Sequence, residues 1–260
     1  MKIATWNINS VRLRIGNVVR FLETERPDVL CLQETKTPDE FFPGEALDAI
    51  GYRYRLVHGM KGYNGVAILS RLPFQGESTT QSWCERTDCR HGWVRIDGGI
   101  ELHNLYIPAG GDIPDPVENP KFAHKLRFVD EIAAWFAGRA GKMILVGDLN
   151  IAPLEHDVWS HKQLLTVVSH TPIEVEKLGR LQAGAKFVDA VRHFVPPERK
   201  LYSWWSYRNR DWSLSDRGRR LDHIWLTPEL MPRLESATIL REMRGWESAS
   251  DHVPVIVELA

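Results

Sequence analysis

At 260 residues the chain can bury a sizeable core, in one large domain or two small ones. Its 43% hydrophobic and 26% charged residues are ordinary for a globular protein, and no run approaches the roughly 20 apolar residues of a membrane helix. A formal net charge of −1 gives no bulk attraction for a polyanion, so any nucleic-acid surface has to be local.

In chain order, residues 2–8 read as a strand. A chain that opens this way leaves no room for a signal peptide, which predicts a cytoplasmic protein. Ile15, Val18, Val19 and Leu22 fall at i, i+3, i+4 and i+7 and predict a helix, stopped by Pro27-Asp28. Residues 29–32 form a second strand ending at Gln33-Glu34. Residues 52–57 and 66–69 read as a hairpin across 59–65. Cys84 and Cys89 read as plain thiols on a loop, because with His91 they match no common zinc spacing. Three cysteines in all, an odd number, fit a reducing compartment.

Residues 100–107 are a further strand ending at Pro108. Gly110-Gly111-Asp112-Ile113-Pro114-Asp115-Pro116 is a loop dense in turn formers. Phe122, Leu126, Val129, Ile132, Ala133 and Phe136 then carry helical spacing. Apolar strands follow from Leu145, over 221–226 and over 253–259. Arg208, Arg210, Arg217, Arg219 and Arg220 crowd a segment with Trp204, Trp205, Tyr207 and Trp212. Such a segment either grips phosphates and bases or is a solvated basic face over core aromatics. No repeat or linker divides the chain, so one α/β domain over residues 1–260 is expected, strand-rich and under helices.

Four strands end in polar residues suited to a cation and a phosphate. After the first comes Asn7, and after the second Glu34, a hard oxygen ligand for Mg²⁺ or Mn²⁺. The third ends Gly147-Asp148-Leu149-Asn150. Alternation along an extended segment would point Asp148 and Asn150 the same way, one to activate water and one to hold a phosphate oxygen. Both types also open helices, and Pro153 would suit a helix start. The fourth is Ser250-Asp251-His252, whose imidazole Asp222 could orient and keep charged.

Asn7, Gln33-Glu34-Thr35, Tyr106-Ile107-Pro108, Gly147-Asp148-Leu149-Asn150, Leu221-Asp222 and Ser250-Asp251-His252 occur in one order. In that order, over residues 1–259, the chain resembles exonuclease III and the apurinic/apyrimidinic endonucleases. More distantly it is similar to the wider endonuclease/exonuclease/phosphatase superfamily. The resemblance implies a four-layer α/β sandwich, two packed β-sheets flanked by helices, with the site at one rim. It implies Glu34 as main metal ligand with Asn7 and Asp251 close by, and Asp148, Asn150 and His252 able to touch a metal as well. Asp148 would activate water, His252 with Asp222 would meet the phosphate, and Asn150 and Tyr106 would contact the phosphate or a neighbour.

Lys36, Asn64 and Arg90 are expected as phosphate contacts, and Trp204 and Leu221 as walls of the pocket for a substrate sugar. Two positions depart from relatives. Ala109 stands where an amide is common, and Arg219 where an apolar group is common. An Arg at the pocket edge favours a charged 3′ end. The implied activity is Mg²⁺-dependent DNA repair: abasic-site cleavage, 3′–5′ exonuclease and 3′-phosphatase action on double-stranded DNA. Abasic sites or blocked 3′ ends are the expected lesions, handled by a monomer with no membrane partner. An alternative is a superfamily phosphoesterase acting on 3′ ends, RNA or a small phosphate ester. A catalytically dead DNA binder is disfavoured because Glu34, Asp148 and His252 are all present.

Overall fold

Apolar runs and helical spacings in the sequence become the following elements of a computed structural model, which describes residues 1–76, 78–209 and 211–260. The first half holds β1 (Lys2–Asn7), α1 (Ile15–Glu25), β2 (Val29–Gln33), α2 (Gly44–Asp48), β3 (Tyr54–His58), β4 (Val66–Ser70), β5 (Thr79–Trp83), β6 (Arg86–Ile96) and β7 (Ile100–Tyr106). Then come α3 (Pro120–Phe136), β8 (Met143–Asp148), α4 (His161–Leu164), α5 (Pro172–Gly184), β9 (Val188–Asp189) and α6 (Ala190–Phe194). The last part holds β10 (Trp204–Trp205), α7 (Trp212–Ser215), β11 (Gly218–Arg219), β12 (Asp222–Leu226), β13 (Leu234–Ile239) and β14 (Val255–Leu259).

Two six-stranded sheets result, ordered β13-β14-β1-β2-β4-β3 and β5-β6-β7-β8-β12-β9. Each is antiparallel except for one central parallel pair, β1 with β2 and β7 with β8. Residues alternate between the two faces of a strand. Ile3, Val29, Ile68 and Val257 of the first sheet therefore meet Val94, Leu102, Ile144 and Ile224 of the second. The opposite faces are covered by helices. On one side Val18, Phe21 and Leu22 of α1 pack on Trp6, Leu30 and Leu32. On the other, α3 and α5 set Phe128, Ile132, Phe136, Leu178 and Leu181 on Leu105, Leu145 and Trp225. This is the four-layer α/β sandwich expected. Among the described residues no helix is long and apolar enough to cross a membrane.

The expected hairpin forms as β3 and β4. β5, β6, β13 and the two-residue strands β9, β10 and β11 were not expected. β5 and β6 carry the polar runs Thr79-Thr80-Gln81-Ser82 and Arg86-Thr87-Asp88, which hide the alternation, although β6 is mostly buried beyond its start. This corrects the placing of Cys89 on a loop: it lies within β6, Cys84 lies in the turn before it, and both are buried. His91 is wholly buried too, stacked on Trp83 and against His103. α5 was also not expected, although Val175, Leu178 and Leu181 give it an apolar face, and Thr171 with Glu174 caps its start.

Pairing register sets the rim. Tyr106 of β7 and Asp222 of β12 are the partners of Asp148 at the end of β8, so three polar side chains end neighbouring strands at one level. Gly147 makes this possible, since at φ +143 a Cβ would stand 1.8 Å from the Leu105 carbonyl oxygen. On the other sheet Asn7 pairs with Gln33, which puts Glu34 one step beyond the same rim.

Candidate active site

Asp148 is the hub of the rim. It is buried, and its Oδ2 accepts from Asn7 Nδ2 at 2.9 Å and Asn150 Nδ2 at 3.1 Å. Its Oδ1 accepts the Asn150 backbone N–H at 2.9 Å. Asp148 and Asn150 thus meet as expected, but for another reason. Asn150 is left-handed at φ +52, so a tight turn rather than strand alternation folds its amide back. No helix opens there; the next turn is the 3₁₀ segment Glu155–Asp157.

His252 sits across from Asp148, with Nε2 at 3.7 Å from Oδ2. Its Nδ1 contacts Asp222 Oδ2 at 2.8 Å, and that oxygen also accepts from Ser203 Oγ at 2.6 Å. Burial opposes a charge on His252, but Asp222 and then Asp148 outweigh it and raise the imidazole to about 10. Burial pushes the Asp148 carboxyl up to about 7, with His252 opposing and Asp222 adding. Asp222, bonded to Nδ1, favours the charged imidazole, so Asp148 faces a cation across the rim.

Glu34 faces the same cleft. Its Oε1 accepts from Asn7 Nδ2 and from the Tyr106 hydroxyl, each at 2.9 Å. Its Oε2 lies 2.7 Å from Lys36 Nζ. Burial would raise its carboxyl, and Lys36 and Asn7 instead hold it below the usual value. Asn7 turns its amide nitrogen to the two carboxylates while its oxygen accepts from Asn9 N–H, so here it bridges acids. Asp251, also held low against its burial by His252, accepts from Asn9 Nδ2 and Trp204 Nε1 and lines the cleft with Glu34.

Asp148, Asp222 and His252 bring ligand atoms within 4.8 Å of one another. Asp222 is nevertheless committed to His252 and Ser203 and has no exposure, so it serves as a charge partner. Glu34 could hold a cation, as a hard carboxylate at the cleft with Asp251 on the same wall, and Lys36 on its Oε2 would have to move aside. The donor set fits a hard divalent cation.

A cleft of about 500 Å³ opens beside these groups, walled by Trp159, Trp204 and Leu221 and edged by Arg208, Arg217 and Arg219. Arg219 Nη1 donates to Val168 O at 3.0 Å and Ser169 Oγ at 2.7 Å, and its guanidinium stands 5.3 Å from the Trp204 ring. Trp205 is fully buried and belongs to the core. Arg220 is also withdrawn from any ligand, wholly buried between Asp157 and Asp189. Arg210 lies outside the described residues.

Asn64 and Arg90 line a neighbouring groove with Arg86, Lys121 and His124. Asn64 donates to Asp88 O, while Arg90 pairs with Asp88 and lies over the Tyr106 ring, so both also brace the rim. Ala109 and Gly111 form the lip between groove and cleft. Sequence reasoning missed Ser203, Lys125 and Glu174. Lys125 was visible as a cation three residues after Phe122 on the apolar face of a helix, and Glu174 as the end of a Thr-x-x-Glu cap.

Residues 4–252 match the family described as Endonuclease/Exonuclease/phosphatase. The chain is 28% identical to the exodeoxyribonuclease III of Haemophilus influenzae over 99% of each chain. It superposes on an AP endonuclease from Archaeoglobus fulgidus with a TM-score of 0.90 and 29% identity, over 100% of this chain and 99% of the other. With a 3′ phosphatase from Neisseria bound to a product DNA hairpin, the TM-score is 0.91 at 30% identity and the same coverage.

Proposed function

Because the chain belongs to the endonuclease/exonuclease/phosphatase family, in its exonuclease III and AP endonuclease branch, we propose that it is a DNA repair hydrolase using Mg²⁺ or Mn²⁺ at abasic sites and blocked 3′ ends. One observation carries the reading: a buried Asp148, pushed up to about 7, faces an imidazolium held charged by Asp222.

Hydrolysis of a phosphate ester needs an activated water, neutralised phosphate oxygens and a stabilised leaving oxygen. Asp148 accepts the proton of the attacking water, with Asn7 and Asn150 fixing the direction of its oxygens. His252 keeps its charge and offers Nε2–H to the phosphate, while Nδ1 stays on Asp222. Tyr106 holds Glu34 in place through its hydroxyl. A divalent cation, held by Glu34 with Asp251 nearby, would neutralise the phosphate and the departing oxygen. Lys36 provides further positive charge at that edge.

The chemistry of the pocket lining supports an order of substrates. A neutral abasic sugar gains little from a guanidinium, whereas a terminal phosphate gains a charge-assisted hydrogen bond. Arg219, with Arg208 and Arg217 on the same cleft, therefore favours removal of a 3′-phosphate over cleavage at an abasic site.

The test uses a nicked duplex ending in 3′-phosphate beside a duplex with one abasic analogue, each with Mg²⁺ and with EDTA. Chelator-sensitive phosphate release, faster than abasic cleavage, is the expected result. Arg219→Leu should lower the ratio of the two rates by about tenfold, the worth of a charge-assisted contact. An unchanged ratio would remove Arg219 from substrate choice, and silence on both substrates would defeat the reading.

A further inference from the structure

Beneath the cleft, Lys125 and Glu174 form an ion pair at 2.6 Å with no exposure of either side chain. Burying two charges is costly, and a buried pair can often be replaced by neutral groups without loss of stability. Its partners show what the pair holds. Lys125 Nζ, from α3, also donates to the carbonyl oxygens of Asn150 at 2.8 Å and Ala109 at 3.3 Å. Glu174, from α5, accepts both Oε contacts from the Ser169 N–H, at 3.0 and 2.9 Å, and a third from the Thr171 N–H.

Each end leads to the site. Asn150 is the residue whose left-handed turn returns its amide to Asp148. Ser169 is the residue whose hydroxyl accepts from Arg219. The lip closes on the same point: a Cβ on Gly110 would lie 2.8 Å from Lys125 Cδ and 3.0 Å from Val168 Cγ1. Three chain segments, 109–110, 150 and 168–171, thus converge on one pair of buried charges.

We propose that the Lys125–Glu174 pair is a positioning device that ties the turn carrying Asn150 to the Ser169–Arg219 wall. It sets where the Asp148 carboxylate stands relative to the end of the strand held in the pocket. Neither residue touches substrate. The catalytic part of this inference rests on the hydrolase reading above; the mechanical part does not.

The test compares the full-length wild type with a Lys125→Met/Glu174→Gln double variant, which removes both charges and keeps the volume. Amide hydrogen exchange is followed in peptides covering 107–111, 149–152 and 168–171, and kinetics are measured on the 3′-phosphate duplex with Mg²⁺. Exchange should accelerate at least tenfold in all three segments and not in β1 or β8. kcat should fall at least tenfold with KM within twofold. Exchange within twofold of wild type, or faster only at 168–171, would overturn the proposal. So would faster exchange with wild-type kcat, which would make the pair a clamp on the fold alone.

Should the double variant not fold, Glu174→Gln alone has to accelerate exchange at 107–111, a segment that bonds to the pair through Lys125 and not through Glu174. If the wild type hydrolyses no DNA, the hydrolase reading falls and the exchange result still decides the coupling.

Discussion

At the scale of single residues, the site depends on two groups both moved upward from their ordinary acidities, for different reasons. Asp148 is raised to about 7 by burial, and His252 to about 10 by its carboxylate neighbours against burial. Activity needs Asp148 without its proton and His252 with one. kcat/KM should therefore fall about tenfold per unit as pH drops below about 7, and fall again above about 10. Asp148→Asn should lower kcat by about 10²–10⁴-fold at pH 8, leave KM within a few fold, and abolish the acidic limb. A variant that keeps the limb would assign that titration to another group. Asn7 shows how a residue can be found for a partly different reason. Its place at the rim follows from the end of a strand, but only the contacts show its nitrogen bridging Glu34 and Asp148.

At the scale of elements, the strands that carry the site were legible because both of their faces are buried and they read as short apolar runs. β2, β8, β12 and β14 followed from such runs, while β1 and β7 carry polar residues among their apolar ones. β5 and β6 did not follow, since β5 is half exposed and both open with polar residues. The turn after β8 was legible as a site and not as a conformation, because the positive φ of Asn150 has no marker such as glycine.

The segment under the pocket shows a further limit. Arg220 belongs to a run that could grip phosphates or form a solvated face; it does neither and instead joins Asp157 and Asp189, with Arg192 sharing Asp157. Burial would raise both carboxyls, and Arg220, aided by Arg192 at Asp157 and by His223 at Asp189, holds them below their ordinary 3.8. Groups lowered in the folded state give stability that is complete above the unfolded value and lost as pH falls through the folded one. Thermal unfolding should thus show Tm level from neutrality to about pH 5 and falling below about pH 4. Asp157→Asn should cost about 3–5 kcal/mol, because it leaves Arg220 and Arg192 short of a buried partner. A Tm within 2 °C of wild type for that variant, roughly 1 kcal/mol or less for a chain of this size, would remove the network from the stability of the fold.

At the scale of the whole molecule, the site exists only where the two sheets meet. Asn7 and Glu34 come from the rim of one sheet, Tyr106, Asp148 and Asp222 from the other, and His252 from the segment leading into β14. Contacts such as Asn7 to Asp148 span 141 residues of sequence, so no local motif specifies them. Order along the chain identifies the family, and the packed sheets supply the distances that make the residues one unit.

The most direct measurement of that unity is the initial rate of phosphate release from the 3′-phosphate duplex as Mg²⁺ is titrated, for wild type and Glu34→Gln. The account predicts no turnover in EDTA, saturable activation of the wild type, and at least a tenfold rise in half-saturating Mg²⁺ for the variant. Hydrolysis that persists in chelator, or identical Mg²⁺ dependence for both proteins, would contradict it.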